Sequence, residues 1–428
     1  MSAPESLATP AQRLAALVRH RTVSEPDEHD PAAFAAFRET FAAAYPRLHG
    51  LETVCFDDGT LLFHLPGESP ERPMVLMAHH DVVPAPAEQW SFDPFAGVVT
   101  DTEVFGRGTL DDKGPLVCIA EAVERLLGGE ERPAHDVWVL SGADEETVGY
   151  GASRAADHLR DRGVHPWLVA DEGGAIVTDH VPGATGPVAL VGVAEKGSVD
   201  VGLLAIGGGG HTSIPLPDGA VARLARAIVA IDEHAPELLV SRAVEAMAAA
   251  LGLGALDAGE LGELLRGMSH ETAALVSTTM AVTRLSGSPA DNVVASEARA
   301  TVNVRLAPGD DRARLRERLE KLLAPHGVLV DWMRGDDPSP VSRTEGPQWA
   351  HVVRAAGALG DHPVVPYVQT GATDSRFFSR FCDAVYRFAP LSMDAGQRAS
   401  IHGPDERVSI ASLELGAEYH RSLLLHPW

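Results

Sequence analysis

The chain has 428 residues, 45% of them hydrophobic and 22% charged, an ordinary globular composition that excludes disordered, collagen-like and coiled-coil architectures. Lys and Arg number 35 against 60 Asp and Glu, and the resulting formal charge of −25 repels nucleic-acid phosphates and anionic lipid surfaces. No run approaches the roughly 18 apolar residues of a membrane span, and residues 1–20 lack the basic-then-apolar pattern of a signal peptide. A cytoplasmic protein with no nucleic-acid or membrane partner is expected.

Helical spacing opens the chain, with Leu14, Leu17 and Val18 and then Phe34 and Phe37. Residues 61–65 predict a strand closed by Pro66-Gly67, and residues 74–78 a buried strand that stops at His79-His80-Asp81. Residues 115–127 read as a helix with Pro115 in the first turn, where its missing N–H costs nothing. A second buried strand, 137–140, runs into Ser141-Gly142-Ala143-Asp144-Glu145-Glu146. A helix through Ala152, Ala155, Ala156 and Leu159 leads to a third strand, 167–170, ending at Asp171-Glu172-Gly173-Gly174. Strands alternating with helices predict an α/β fold with a mostly parallel sheet and helices on both faces. Three buried strands in succession end in acids or histidine, and ligands of open α/β sheets bind beyond the carboxyl ends of the strands.

The texture changes near residue 196. Residues 199–206 alternate weakly and precede Gly207-Gly208-Gly209-Gly210-His211-Thr212-Ser213. Helices over 220–231 and 244–265, strands over 278–285 and 300–306, an amphipathic helix over 312–323 and a strand over 328–332 predict a smaller α+β domain with an antiparallel sheet. Residues 335–340, rich in Pro, Gly and Asp, read as a linker. The organisation expected is thus a catalytic domain from residues 1–195 and 335–428, interrupted by a second domain over 196–334.

Residues 79 and 81 of an extended segment point to one side, so Asp81 could fix the tautomer of His79 and leave its other nitrogen for a metal. Asp111-Asp112 on a glycine turn, Asp144-Glu145-Glu146 and Asp171-Glu172 at strand ends, and His402 in a Gly/Pro-bounded loop supply further ligands. Adjacent carboxylates at a buried strand end repel one another unless a cation is present. Cys55, Cys118 and Cys382 are too few and too scattered for a thiolate site or a disulfide framework. Histidines with carboxylates suit a pair of divalent ions, zinc with cobalt or manganese as alternatives, and two such ions need one bridging carboxylate. The glycines at 207–210 lack a Walker lysine or a Gly-x-Gly-x-x-Gly pattern. No Gly-x-Ser-x-Gly elbow or His-Glu-x-x-His helix is present.

Taken in order, His79-His80-Asp81-Val82-Val83-Pro84, Trp90 with Asp93-Pro94-Phe95, Gly106-Arg107-Gly108 with Asp111-Asp112-Lys113-Gly114, Asp144-Glu145-Glu146, Asp171-Glu172-Gly173, Gly210-His211-Thr212-Ser213 and Ile401-His402-Gly403 span nearly the whole chain. The series resembles the di-zinc family of aminoacylase, carboxypeptidase S, succinyl-diaminopimelate desuccinylase and bacterial glutamate carboxypeptidase. Thr373-Asp374-Ser375-Arg376-Phe377-Phe378 tilts the resemblance toward the carboxypeptidase S and N-acyl-amino-acid hydrolase branch.

The resemblance implies His79 on one metal, Asp111 bridging both, and Glu146 with His402 on the other. Asp111 is preferred to Asp112 because it lies two residues before Lys113. The first metal's remaining ligand comes from Asp171-Glu172, with Glu172 favoured by its place before glycine. Glu145 would be the general base, Asp81 would orient His79, and His211 would stabilise the oxyanion from a lid domain that also forms a homodimer. Asn292 matches a substrate-contacting asparagine, and Arg376 would pair with a substrate carboxylate. An arginine usual before the lid histidine is absent, glycine occupying 207–210. The implied activity is hydrolysis of an amide bond in a peptide or N-acyl-amino acid by a bridging metal-bound hydroxide. A dipeptidase or aminopeptidase on the same scaffold is the enzyme alternative. The other is a metal-bearing inactive binding protein, which would have no use for Glu145.

Overall fold

The apolar run at residues 74–78 must be covered on both sides, and in the computed structural model it is buried within the strand Ser69–His79. The structure describes residues 7–179, 181, 184–215 and 217–426, so the first six residues of the N-terminal segment read above lie outside it. The chain divides into two compact units. One comprises Met1–Val193, Ser342–Tyr367 and Thr373–Trp428, the other Ala194–Val341 and Val368–Ala372.

The first unit is built on a sheet of eight described strands. Their order is Glu52–Cys55, Leu61–Leu65, His135–Gly142, Ser69–His79, Leu168–Val177, Val385–Met393, Val188–Glu195 and Val364–Gln369. The third to sixth of these run parallel, as continuous apolar strands buried on both faces must. The helix Lys113–Gly128 is buried along most of its circumference and packs against Ile410–Leu425. In the parallel register His79 lies level with Gly142, so the residues that follow both strands emerge side by side.

The third buried strand departs from the sequence reading. It does not end at Asp171-Glu172 but continues to Val177. Its pairing with Ser69–His79 stops at Leu76 opposite Ala170. On the other side the register jumps from Asp171 opposite Arg387 to Gly174 opposite Phe388, which leaves Glu172 and Gly173 as a bulge. Gly173 has φ +130°, a conformation that glycine tolerates. The bulge frees Glu172 from the ladder without terminating the strand.

The second unit carries an antiparallel sheet in the order Thr279–Ser286, Glu297–Leu306, Gly197–Ile206, Val328–Gly335. Alternate residues Val199, Val201, Leu203 and Ala205 meet Leu224 and Ile231 of the helix Ala220–Asp232 and Leu315, Leu319 and Leu323 of Arg312–Leu323. Two expectations need correction here. The single helix over 244–265 is two, Arg242–Ala250 and Ala258–Met268. Gly252 takes φ +77° between them, and Asp257 with Glu260 forms a capping box that starts the second. Residues 335–340 are not a free linker either. Gly335 is still in its strand, the Asp336 N–H donates to the Ser198 carbonyl at 3.0 Å, and Ser339 exchanges hydrogen bonds with Glu195. Among the described residues no helix is long and apolar enough to cross a membrane.

Buried histidines make the first unit sensitive to acid, His420 among them. His420, on Ile410–Leu425, is 4% exposed, and neither ring nitrogen has a hydrogen-bond partner among the described residues. Burial pushes its pKa down to about 3. Unfolding restores a value near 6.5. Between those values the unfolded chain binds a proton that the folded chain refuses, so stability falls as pH drops below about 6.5. In His420→Leu the loss of unfolding free energy between pH 7 and pH 4.5 should shrink by about 2–3 kcal/mol, read by urea unfolding at both pH values. An unchanged loss would show that His420 does not set the acid limb.

Candidate metal centre

His79 is the last residue of its strand, and its orientation is fixed from three directions. Its main-chain N–H donates to Asp112 Oδ2 at 2.9 Å. Nδ1 lies 3.1 Å from the Asp81 carbonyl and 3.3 Å from Asp81 Oδ1, so Nδ1 carries its proton toward Asp81. Nε2 faces Asp111 Oδ1 at 3.0 Å. Asp81 is fully buried, and its two oxygens also accept the main-chain N–H groups of Glu145 at 3.2 Å and Glu146 at 3.1 Å. It therefore ties the end of one strand to the loop that follows its neighbour. Burial raises the Asp81 carboxyl, but the hydrogen bond and charge of His79 outweigh it and hold the group below its ordinary value.

Asp111 is the point on which the cluster converges. His79 Nε2 approaches one oxygen, and His402 Nε2 the other at 3.1 Å. His402 also reaches Glu146 Oε2 at 3.2 Å. His79, Asp111 and Glu146 each offer a ligand atom within 4.8 Å of the others. His402 takes a left-handed φ of +58° and stays half exposed.

The charge at this place is strongly unbalanced. Burial, then the charge of Asp111, pushes Glu146 up to about 6. Glu145 and Glu172 are pushed well above their ordinary values, first by burial and then by neighbouring carboxylates. His402, hydrogen-bonded to Asp111 and Glu146, is pushed up to about 10. Glu146 Oε1 is buried without a hydrogen-bond partner among the described residues. Imidazole nitrogens and carboxylate oxygens at 3.0–3.2 Å, an orphaned buried oxygen and surplus negative charge are what a divalent cation would satisfy, so the residues fit a metal site.

The other expected site residues fall as follows. Asp171 spends its oxygens on main-chain donors, Glu172 N–H at 3.0 Å and Ser375 N–H at 2.8 Å, whereas Glu172 stands on the bulge. Arg376 donates to the carbonyls of Thr373 at 2.8 Å and Val148 at 3.0 Å and stacks on the Phe377 ring. His211 and Asn292 belong to the second unit. They lie side by side there, because Gly210–His211 pairs with Val293–Val294 and Thr212 N–H donates to the Asn292 carbonyl. The Ser213 N–H donates to His211 Nδ1 at 3.1 Å, so the neutral ring carries its proton on Nε2.

Two buried groups are not legible in the sequence. Asp374, in the Thr373–Arg376 segment, lies against Gly142 and Gly149 at the two ends of the loop bearing Glu145 and Glu146. Glu406 accepts the main-chain N–H groups of Gly108, Leu110 and Asp111. Asp374 has Arg376 beside it at 3.9 Å, and the donors to Glu406 come from a loop far earlier in the chain.

The Asp81 tie has a measurable cost of removal. Asp81→Ala leaves the His79 ring and two main-chain N–H groups without their carboxylate. The metal-free protein should lose about 3–5 kcal/mol, the range for breaking a buried charged pair, in urea unfolding at pH 7. A loss within the error of the extrapolation would remove Asp81 from this role.

Comparison with known proteins adds an independent line. Residues 75–426 match the model of peptidase family M20/M25/M40. The human protein N-fatty-acyl-amino acid synthase/hydrolase PM20D1 is 32% identical over 375 residues, covering 84% of this chain and 75% of that protein. Probable carboxypeptidase S-like 2 of Dictyostelium discoideum is 28% identical over 439 residues, covering 97% and 84%. Among solved structures, the M20 family metallo-carboxypeptidase Sso-CP2 from Sulfolobus solfataricus shares the fold with a TM-score of 0.73, at 18% identity over 97% of this chain and 98% of that one. The family model spans the strands, loops and histidines that build the cluster, and the chain belongs to peptidase family M20/M25/M40.

Proposed function

We propose that the protein hydrolyses the amide bond of an N-acyl-amino acid or a peptide with two divalent ions, zinc before cobalt or manganese. The observation that carries this reading is the convergence of His79 and His402 on the two oxygens of Asp111, with Glu146 beside them. His79 and Glu172 would hold one ion, Glu146 and His402 the other, and Asp111 both. The engagement of both Asp171 oxygens by main-chain N–H groups supports Glu172 as the ligand. When bound, the ions would polarise the scissile carbonyl and acidify a water molecule.

Glu145 is the base in this reading. Burial and neighbouring carboxylates raise its proton affinity, the property required of a group that takes a proton from the attacking water. The same carboxyl then delivers that proton to the departing nitrogen. His211, with its proton on Nε2, is assigned to the oxyanion, and Asn292 beside it to the substrate. For Arg376, expected from the resemblance to pair with a substrate carboxylate, the bonds to the Thr373 and Val148 carbonyls support instead a positioning role on the loop carrying Glu145 and Glu146. The second unit serves as lid and dimer contact in the same proposal, and a sedimenting mass of one chain or two decides the latter.

The names of the relatives make N-fatty-acyl-amino acids the first substrates to try, and Val148 and Tyr150, both exposed beside the Glu145 loop, offer apolar surface there. Dipeptides with free amino termini represent the alternative. Cleavage of the acylated panel that stops on chelation and returns with zinc is the expected result; preference for free dipeptides would move the assignment to a dipeptidase, and silence on both panels with two ions bound would overturn the substrate assignment. Glu145→Gln should lower kcat by about 10³-fold or more while metal content measured by elemental analysis stays at two per chain. Retained turnover in that variant would end the role given to Glu145.

A further inference from the structure

Asp111 and His402 lie far apart in the chain, yet the structure joins the loops that carry them at a buried ion pair. Arg107 is 1% exposed and Glu406 fully buried, and Arg107 Nη1 is paired with Glu406 Oε2. The other terminal guanidinium nitrogen, Nη2, donates to the Gly403 carbonyl at 3.0 Å, next to His402. Glu406 in turn accepts three main-chain N–H groups of the opposite loop: Gly108 at 3.0 Å, Leu110 at 2.7 Å and Asp111 itself at 3.1 Å. A short antiparallel ladder beneath them sets the register. Arg407 pairs with Phe105, and Gly106 N–H donates to the Glu406 carbonyl at 2.9 Å. The guanidinium also lies over the Trp90 ring, 5.2 Å from its centroid. Both loops are sharply bent, with left-handed φ values at Gly108, His402 and Asp405.

We infer that the Arg107–Glu406 pair is the positioning device that holds Asp111 and His402 at ligating distance across the two loops, an inference that rests on those two residues being metal ligands. The physical argument is one of allocation. A buried ion pair adds little stability over a well-packed apolar pair. This one, however, spends both carboxylate oxygens on the backbone of the residues leading into Asp111 and a guanidinium arm on the residue after His402. The carboxylate thereby fixes where Asp111 starts, and the arginine fixes where His402 ends. Neither residue touches the reacting atoms in this reading. Partners behind a ligand typically alter metal affinity by about 10- to 100-fold when removed.

Two variants test it on the full chain. Glu406→Gln keeps the size and puts an amide NH₂ against N–H donors, and Arg107→Lys keeps the charge but cannot reach Glu406 and the Gly403 carbonyl together. Metal-free proteins are titrated with cobalt(II), followed by visible absorption and elemental analysis, with His402→Ala alongside. Both variants are expected to unfold cooperatively and to bind the second equivalent about 10- to 100-fold more weakly than the unaltered chain. A purely structural role would lower the unfolding midpoint and leave the cobalt affinity of the folded protein unmoved, which overturns the inference. Failure of both variants to fold also overturns it, since the pair would then be a requirement of folding. If His402→Ala keeps both equivalents at full affinity, the metal reading of His402 fails. If it loses one while both pair variants keep theirs, that reading stands and the positioning inference alone falls.

Discussion

The structure is organised by the problem of keeping many carboxylates in one poorly solvated place. Asp81, Asp111, Asp112, Glu145, Glu146, Glu172 and Asp374 collect around the carboxyl ends of the parallel strands, and burial raises most of them. Such a concentration is stable only where each charge is given a counterpart. Asp81 has a histidine and two main-chain N–H groups, Asp171 has two main-chain N–H groups, and Glu406 has an arginine and three. Among the described residues, the buried oxygens Asp112 Oδ1 and Glu146 Oε1 have no hydrogen-bond partner, and both belong to the cluster about Asp111. The division between satisfied and unsatisfied acids therefore marks the candidate site off from its scaffold.

The scaffold achieves this with few devices. Parallel register brings two strand ends level, a bulge at Glu172-Gly173 turns a carboxylate out of a continuing strand, and Asp81 crosses from one strand end to the next loop. The C-terminal loop enters from a separate short ladder, so His402 reaches a centre built mainly by residues far earlier in the chain. Peptidase family M20/M25/M40 membership and the shared fold give these devices a hydrolytic context, and imidazole with carboxylate donors suits a divalent ion.

Much of the fold is legible in the sequence because its signals are local. Apolar runs at 74–78 and 137–140, bounded by polar clusters, mark buried strands, and the alternation of strand and helix marks a parallel sheet. The break within 244–265 escapes such a reading because Ala- and Leu-rich periodicity persists across Gly252 and Gly254, and only the capping box at Asp257 reveals the restart. The strand end at Asp171 is misplaced for a different reason. Two acids followed by two glycines look like a loop, and only pairing with Val385–Met393 keeps the chain extended beyond them.

By itself the sequence determined the residue types, their order and the chemistry they permit, because ligand identity and apolar patterning are properties of short segments. Tertiary structure decided which acids are spent and which are free. Asp171 and Glu172 are neighbours with similar side chains, and their difference arises from the Ser375 N–H, far along the chain, and from a bulge set by another strand. Glu406 and Arg107 are likewise ordinary in sequence, since a carboxylate's meaning depends on the donors that surround it, and those donors come from a loop far earlier in the chain.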